Sequence, residues 1–485
     1  MLRRLIDLRL YYTAEGVWPA AVARANLPGP YTISPLFGFD QPAPVAAFFV
    51  ATALCLLAFT VGWRTRLFQA LGVLGLLAIH ARNVVIENQG DIALAVFLVW
   101  SLFLPLGLRY SLDARRRGEA PTAPVRSLAV FALRVQIAVV YLFNAVHKDG
   151  FTWAEGSAIH YALHLDTKVR AWAVALRDAP LWLSQVMSWG ALIVEWAAPL
   201  LILAPRYVAA ARGAAIAALC ALHLGIFALL DVGLYSFVMI ASFPILLHAR
   251  HFGAPVDAPP RRGNPWLIEA VCAALMLTAT LQTLQDNGLS TATAQRPAWM
   301  RAVVEATRTY QGWSQFAADP PLRDGWLVID AVATAGRHLD PQTGAAPAFV
   351  LPDARQRSFD QFWAKYTQRA PGDPAVLAAL LAWITGPYPH RGLEPGERFV
   401  AATVWWIADR PPAPGQGTTP IETERRVVAR SGVHQPDDPQ REGAERQPAP
   451  AQEGAPPDAA VGVEAAEEGG EAAGDPPDEG QHHQQ

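Results

Sequence analysis

The sequence predicts an all-α polytopic membrane helical bundle, followed by a small α/β extramembrane domain and a disordered tail. Hydrophobic residues make up 52% of the 485 positions and charged residues only 17%, whereas a soluble domain carries about 25% charged residues. The apolar residues are concentrated before residue 290, in segments that approach the roughly 20 residues needed to cross a bilayer as a helix. After residue 410 the composition turns to Pro, Gly, Ala and Glu.

Eight apolar segments are candidates for spanning helices, because helices satisfy their own backbone hydrogen bonds in lipid. The seventh is short and contains Pro244. We therefore expect about eight transmembrane helices over residues 42–290, preceded by an extramembrane or interfacial segment, residues 1–41. The candidate segments are 42–62, 67–86, 92–108, 128–146, 181–204, 213–230, 233–248 and 267–285.

The placement of basic residues predicts how the bundle is oriented, since cytoplasmic loops carry an excess of Lys and Arg. Two of the opposite connections, 87–91 and 231–232, contain no basic residue, and the long one, 147–180, contains four in 34 positions. We expect a multi-pass protein of the cell inner membrane, with the N-terminal segment and the C-terminal domain on the extracytoplasmic side. The basic residues of the other connections are Arg64, Arg66, Arg109, Arg115, Arg116, Arg117, Arg126, Arg206, Arg212, Arg250, Arg261 and Arg262.

The region that follows the bundle has the mixed pattern of a small extramembrane domain, residues 291–410. Short runs rich in β-branched and aromatic residues predict strands at Trp326–Ile329 and Phe399–Ile407, and helices are expected over 358–367 and 374–385. The tail, residues 411–485, cannot bury enough apolar area to offset chain entropy, so we expect it to be disordered.

Composition argues against nucleic-acid and metal partners. The net charge of −3 gives no basic surface for nucleic acid. The cysteines, Cys55, Cys220 and Cys272, lie in apolar stretches and are expected to pack as small hydrophobic residues. His160 and His164 are four residues apart, but no third ligand is evident, so no metal site is predicted.

Ionisable residues near the membrane core are costly, so each cluster of them is a candidate site. The first cluster combines Arg82 and Asn83 with the run Glu87–Asp91 at the outer end of the second segment. One interpretation is an ordinary loop with an interfacial ion pair. The alternative makes Arg82, Asn88 and Asp91 substrate-binding residues.

The second cluster, Tyr141–Gly156, closes the fourth segment and contains Lys148. One interpretation is that Lys148 extends its ammonium group to the water at the interface. The other is that an apolar pocket disfavours the charged form and lowers the pKa of the amine. A neutral amine is a general base at physiological pH, a role closed to arginine because it stays protonated.

Two more groups lie within the later segments. Glu195 needs a partner or a proton, and we leave open a structural pair with an arginine or a catalytic role. For His223, a hydrogen-bonded core residue is favoured over a catalytic one. It is followed by Asp231 and Tyr235.

The run Tyr141–Gly156 resembles the signature of the vitamin K-dependent γ-carboxylase membrane domain, in which a tyrosine-rich helix end precedes a lysine pair and an acidic turn ending Glu-Gly. The run His223–Leu246 resembles a second block, and the Asn88 stretch occupies the place of a third. Through these blocks residues 1–290 are identified as a member of the horizontally transferred transmembrane (HTTM) family. Its members begin with a helix before a segment resembling Asp7–Pro19, so we expect either an upstream start or loss of that helix.

The resemblance implies a role for Lys148, which matches the carboxylase lysine that deprotonates vitamin K hydroquinone. It also implies a quinol cofactor, either vitamin K hydroquinone or another, and a lipid-soluble small molecule as partner besides the bilayer. His147 stands where the family has its first lysine, and Gln89–Asp91 stands where the carboxylase has a histidine. The implied catalytic residues are Lys148, His147 and His223, and the implied substrate-binding residues are Arg82, Asn88, Asp91, Trp153, Glu155 and Tyr235.

Two functions of different classes follow from these observations. An enzyme that uses Lys148 as base predicts that Lys148, His223 and the Asn88–Asp91 loop converge on one cavity. A non-catalytic membrane protein, with a binding, scaffold or immunity role, predicts that Lys148→Ala leaves function intact. Transport is a weaker third, because no pair of broken helices with internal symmetry is visible.

Overall fold

The computed structural model describes residues 2–118, 125–248, 261–289, 297–355 and 360–431. Short helices form the N-terminal segment: α1 (Leu2–Ile6), α2 (Leu8–Tyr12) and α3 (Ala20–Ala25). The helices of the bundle and its connections are α4 (Pro42–Thr60), α5 (Thr65–Arg82), α6 (Gln89–Ser101), α7 (Leu112–Arg117), α8 (Leu128–Val146), α9 (Phe151–Glu155), α10 (Ala158–Leu163), α11 (Leu181–Ile202), α12 (Val208–Leu229), α13 (Tyr235–Ser242) and α14 (Trp266–Asp286). After the bundle come α15 (Ala298–Thr307), α16 (Gln361–Arg369) and α17 (Pro374–Ile384).

Five helices in the described part of the chain are long and apolar enough to cross a membrane, namely α4, α8, α11, α12 and α14. The predicted count of about eight is therefore not confirmed. The segment predicted at 67–86 is α5, which contains Gln69, His80 and Arg82. The segments predicted at 92–108 and 233–248 form the shorter helices α6 and α13, and a 3-10 turn, Phe243–Leu246, continues α13.

Helix α8 is the central helix of the bundle. Its apolar window is 61% buried, whereas the windows of the other four spans are 17–22% buried. It packs against α11, α14 and α6, and fully buried Ile137 and Val140 lie in the core that these helices share. Helix α8, whose C-terminal end leads to Lys148, is therefore held from several sides.

The extramembrane domain is a four-stranded antiparallel sheet with α16 and α17 packed against it. The two central strands contain the predicted strand segments and pair over their whole length, with Trp326 opposite Ile407. The strands lie in the order β4-β3-β5-β6, where β3 is Asp324–Ala333, β4 is His338–Leu339, β5 is Phe399–Arg410 and β6 is Glu422–Ser431. Outside this sheet, β1 (Val125–Arg126) and β2 (Arg261–Arg262) form a short parallel pair.

Strand β6 corrects the prediction of disorder after Arg410. Residues 422–431 pair with β5, and Val428 and Ala429 pack against the domain core. A strand beside an existing strand gains its ladder hydrogen bonds from tertiary context, which composition does not reveal. Residues 432–485 lie outside the described part of the chain.

The N-terminal segment packs into the core of the C-terminal domain. Tyr11 and Trp18 are 1% and 2% exposed, and the Tyr11 ring lies edge-on to Phe362 of α16 at 6.0 Å. Both belong to the cluster that includes Leu327 of β3 and Trp363. Residues 1–41, which were expected to be extramembrane or interfacial, thus pack together with the sheet and its helices in one core.

Candidate functional site

A cavity of about 430 Å³ lies at the end of the bundle where α8 ends. We call it the Lys148 cavity. Helices α8, α10, α11 and α12 form its walls, and the extramembrane segment 315–320 covers one end. Its polar lining residues are few, and they are Tyr141, Asn144, Lys148, Glu195, His223, Tyr235 and Gln315. A mostly apolar concave site with a few convergent polar groups is the usual form of a small-molecule site.

Lys148 and Glu195 form an ion pair on the wall of the cavity. The Nζ atom of Lys148 donates to Oε2 of Glu195 at 2.7 Å and to Oε1 at 2.9 Å. It also donates to the backbone oxygen of Asn144 at 3.3 Å. Because Lys148 is only 9% exposed and Glu195 8%, the ammonium group does not extend into bulk water. The arginine partner considered for Glu195 is wrong, since its partner is Lys148.

Burial lowers the pKa of the Lys148 amine below its usual value, and the Glu195 carboxylate opposes that shift. The indole ring of Trp153 lies 5.0 Å from the Nζ atom and adds a cation–π contact to the charged form. Lys148 follows the last turn of α8, with its backbone N–H donating to the Ala145 oxygen. The end of α8 therefore directs this side chain towards α11.

A second polar group lies across the cavity. The hydroxyl of Tyr141 and Nε2 of His223 are 2.6 Å apart, and both side chains are 1% exposed. The other ring nitrogen of His223, Nδ1, is buried without a hydrogen-bond partner. The ring of Tyr235 packs edge-on to His223 at 5.6 Å. This arrangement leaves one buried ring nitrogen of a cavity-lining residue without a protein partner.

The extramembrane chain completes the site. The backbone N–H of Gln315 donates to Oδ1 of Asn144 at 2.9 Å, and the indole N–H of Trp153 donates to the Phe316 oxygen at 2.9 Å. The Nε2 atom of Gln315 is buried and unpartnered. The cover is thus anchored to the ends of the helices that form the walls.

Small residues make room for the cavity between α11 and α12. A Cβ atom built on Gly190 of α11 or Gly225 of α12 would meet no atom within 4 Å. Ala191, Ala218 and Ala221 line the same walls. The volume is therefore created by short side chains on facing helices, where larger ones would fill it.

The family comparison decides how this bundle is classified. Residues 35–250 match the family model of the HTTM domain. The chain carries an HTTM domain. No curated protein and no solved structure gives a significant match to the chain. The resemblance predicted from the Tyr141 and His223 blocks is thereby confirmed at the level of the family.

The HTTM domain supplies the walls of the Lys148 cavity, and the chain after it supplies the cover. Of the residues predicted for the site, Lys148, Trp153, His223 and Tyr235 all line the cavity. His147 does not, because its Nε2 atom faces Oδ1 of Asn287 at 3.0 Å.

Glu155 is exposed at the surface and lies outside the cavity lining. Its backbone oxygen accepts a hydrogen bond from Gln185 at 3.3 Å. The Glu155 side chain therefore lies apart from the polar groups around Lys148, although Glu155 belongs to the same sequence block as Trp153.

The first polar cluster forms a buried charge network of its own. Asp91 pairs with Arg4 at 2.8 Å and lies 3.5 Å from the His80 ring. Glu87 pairs with Arg308, which follows α15. The network ties the N-terminal segment, the HTTM domain and the extramembrane chain together.

Arg82 and Asn88 have backbone partners instead. Arg82 is fully buried and donates to the Trp18 oxygen at 2.9 Å. Oδ1 of Asn88 caps α6 by accepting from the N–H groups of Gly90 and Asp91. The loop touches the backbone of Tyr235 at Gly90, yet it does not line the Lys148 cavity.

Among the residues placed by the structure, no group of three His, Cys, Asp or Glu side chains could hold a metal ion. His160 and His164 lie with ring centroids 4.3 Å apart. Nδ1 of His164 is 2.8 Å from the His160 oxygen, and Nε2 of His160 is 3.0 Å from the Pro412 oxygen. This pair therefore connects α10 to the loop after β5.

Two features of the site had no signal in the sequence. Gln315 lies in a stretch without periodicity, so its approach to Asn144 follows only from tertiary structure. The pairing of Lys148 with Glu195 joins residues 47 positions apart. A buried carboxylate and a buried amine in one bundle are nevertheless favoured to pair, because either one alone would be an uncompensated buried charge.

Proposed function

We propose that this HTTM-domain protein binds a lipid-soluble molecule in the Lys148 cavity and exchanges a proton with it at Lys148. The observation that supports this most directly is a buried ion pair on the wall of an apolar cavity. Removing two charges from water costs several kcal/mol per ion in a protein. Such groups inside a membrane bundle mark functional sites by default, and the cavity provides the volume in which a ligand would lie beside them.

The pair provides a route for the proton. When an ammonium proton of Lys148 passes to the Glu195 carboxylate, both groups become neutral, which a low-dielectric site favours over two charges. The neutral amine then accepts the proton of an acidic hydroxyl or similar group on the ligand. The ligand anion is left beside the ammonium group, and Glu195 holds the first proton until it is released.

The remaining polar groups orient the ligand. The unpartnered Nδ1 of His223 and Nε2 of Gln315 are buried, so a ligand atom that bonds either one removes a desolvation cost. The Tyr141 hydroxyl fixes the ring of His223 from the other nitrogen. The apolar walls exclude water, which strengthens the electrostatic interactions at Lys148.

A quinol fits this donor set, and the resemblance names it as the first ligand to test. Lys148, Gln315 and His223 would hold its hydroxyl groups, and the apolar faces of α11 and α12 would hold its ring and chain. When bound, a quinol supplies an acidic hydroxyl and an electron-rich ring. Carboxylation of a glutamate by this chain rests on the resemblance alone.

A second candidate is a non-catalytic protein that binds or scaffolds through the same cavity. The observation in its favour is that Lys148 makes three hydrogen bonds, two to Glu195 and one to Asn144. An ammonium group has three donors, so the amine is satisfied without a ligand. In that case the ion pair holds α8 to α11, and ligand binding requires no proton transfer.

The experiment that tests the proposal is extraction of the full chain in nanodiscs from its own membrane, followed by mass spectrometry of bound small molecules. We expect a lipid-soluble molecule with an ionisable hydroxyl or carbonyl group. Its absence from repeated preparations would contradict the proposal.

The Lys148→Arg variant separates the two candidates. Arginine keeps the charge and the pairing with Glu195 but cannot act as base. If the ligand is still bound while cellular function is lost, proton exchange is supported. Full function in Lys148→Arg would support the non-catalytic candidate.

A further inference from the structure

Two arginines lie inside spanning helices at the end of the bundle opposite to the Lys148 cavity. Arg134 is six residues after the start of α8 and Arg212 four residues after the start of α12. At 1.5 Å per residue, they are about 9 Å and 6 Å along their helices. Both arginines therefore lie in the first half of their helices, away from the ends that line the Lys148 cavity.

Both guanidinium groups use backbone oxygens as partners. Nε of Arg134 donates to the Ile245 oxygen at 3.2 Å, and Nε of Arg212 donates to the Ile202 oxygen at 3.2 Å. The helices that carry the two arginines both pack against the 3-10 turn Phe243–Leu246, which contains Ile245. Over residues 2–118, 125–248, 261–289, 297–355 and 360–431, no carboxylate forms an ion pair with either one. The pair therefore concentrates positive charge that the described chain leaves uncompensated.

The free donors of this pair point to the chemistry of its ligand. Each arginine donates through its Nε atom, while its two Nη groups make no hydrogen bond to the described residues and are not sealed from the surface. A guanidinium fork matches the oxygens of a phosphate in bidentate geometry. Phe131, one turn before Arg134 on the same face, is 50% exposed, so this face of α8 meets lipid.

We propose that Arg134 and Arg212 bind the phosphate group of an anionic phospholipid. The pair lies near the N-terminal ends of α8 and α12. The basic connections that precede these ends predict that they face the cytoplasm. Basic pockets between transmembrane helices on that side bind anionic headgroups. The acyl chains of the same lipid lie along the exposed apolar faces of α8 and α12, which a soluble phosphate cannot use.

The test uses the full chain in detergent micelles and native mass spectrometry with phosphatidylglycerol and phosphatidylcholine. We expect preferential retention of phosphatidylglycerol, and about tenfold weaker binding in Arg134→Gln or Arg212→Gln, as for loss of one charge-assisted contact. Arg206→Gln is the matched control, because Arg206 is exposed on the connection before α12, and it should bind like the wild type. Equal retention of both lipids, or unchanged binding in both variants, would overturn the site.

Two further measurements keep the test decisive. Arg212→Lys keeps the charge but loses the planar fork. It controls for a folding defect caused by loss of the charge, and it should bind phosphatidylglycerol with an affinity between those of the wild type and Arg212→Gln. Wild-type affinity in this variant would contradict the site. Inorganic phosphate distinguishes the source of the anion. If millimolar phosphate displaces phosphatidylglycerol completely, the site belongs to a soluble phosphate and the lipid assignment is wrong.

Discussion

Lys148, just past the end of α8, and Glu195, within α11, meet at 2.7 Å on the wall of an apolar cavity. The pair joins two helices that pack along their length, so it contributes to the fold as well as to the proposed chemistry. These two contributions can be separated by substitution.

Glu195→Gln should destabilise the protein by about 3 to 5 kcal/mol, because it leaves a buried ammonium group without its counter-charge. The double variant Lys148→Met with Glu195→Leu should recover most of that loss, since it replaces both charges by apolar side chains. Thermal unfolding in nanodiscs measures both. A single variant as stable as the wild type would show that the pair is not buried in the membrane.

Filling the cavity should abolish ligand binding without loss of stability. Gly190→Leu and Gly225→Leu place side chains in open volume between α11 and α12, where a Cβ meets no atom within 4 Å. Gly213→Leu is the matched control, because its Cβ is equally free on α12 but the position does not line the cavity. Ligand content is measured by mass spectrometry of the purified variants. Retention of the ligand by both cavity variants would place it elsewhere.

Asp91→Asn should lower stability and leave ligand affinity unchanged, in contrast to the substrate-binding role that the sequence suggested. Asp91 pairs with buried Arg4 rather than with a cavity residue, and loss of one partner of a buried pair costs about 3 to 5 kcal/mol. The unfolding midpoint and ligand binding are measured on the same preparation. Weaker ligand binding with an unchanged unfolding midpoint would instead support a substrate-binding role for Asp91.

Asp324 should make stability depend on pH. It is 4% exposed, and burial raises its pKa from 3.8 to about 6, although Thr167 donates to the carboxylate. Because the folded state holds the proton more tightly than the unfolded chain, this contribution is fully present below pH 4. It is lost as the pH rises through 6, by about 3 kcal/mol at 1.36 kcal/mol per pKa unit.

Asp324→Asn should flatten the stability profile between pH 4 and pH 7, measured by denaturant unfolding of the full chain. Asp353→Asn serves as control, because Asp353 is exposed on the same domain and its removal should leave the slope intact. A wild-type protein with no slope in this range would exclude the shift.

Much of the bundle could be predicted from the sequence, because lipid forces apolar helices of a fixed length and leaves few alternatives. The segments 128–146 and 181–204 correspond closely to α8 and α11. The predicted bounds of the segments 92–108 and 233–248 were less accurate, because the observed helices end earlier, at Ser101 and Ser242. Apolar composition continues past those ends, so hydropathy alone does not reveal them.

The candidate site was predicted in part. Lys148, His223, Trp153 and Tyr235 line one cavity, as expected from the cost of burying polar groups in a bundle. The free-energy cost of burial does not specify which buried groups share a site. The charge network around Asp91 is also buried but lies apart from the Lys148 cavity. That distinction depends on contacts with Arg4 and Arg308, which lie far away in the sequence.

The packing of Tyr11 against Phe362 has a consequence for biogenesis. Their separation of 351 residues (362 − 11) means that the first partner leaves the ribosome long before the second exists. At typical elongation rates the interval is about 20 to 70 s. During that time Tyr11 and Trp18 lack their final neighbours, so translation must deliver every span before this core can close.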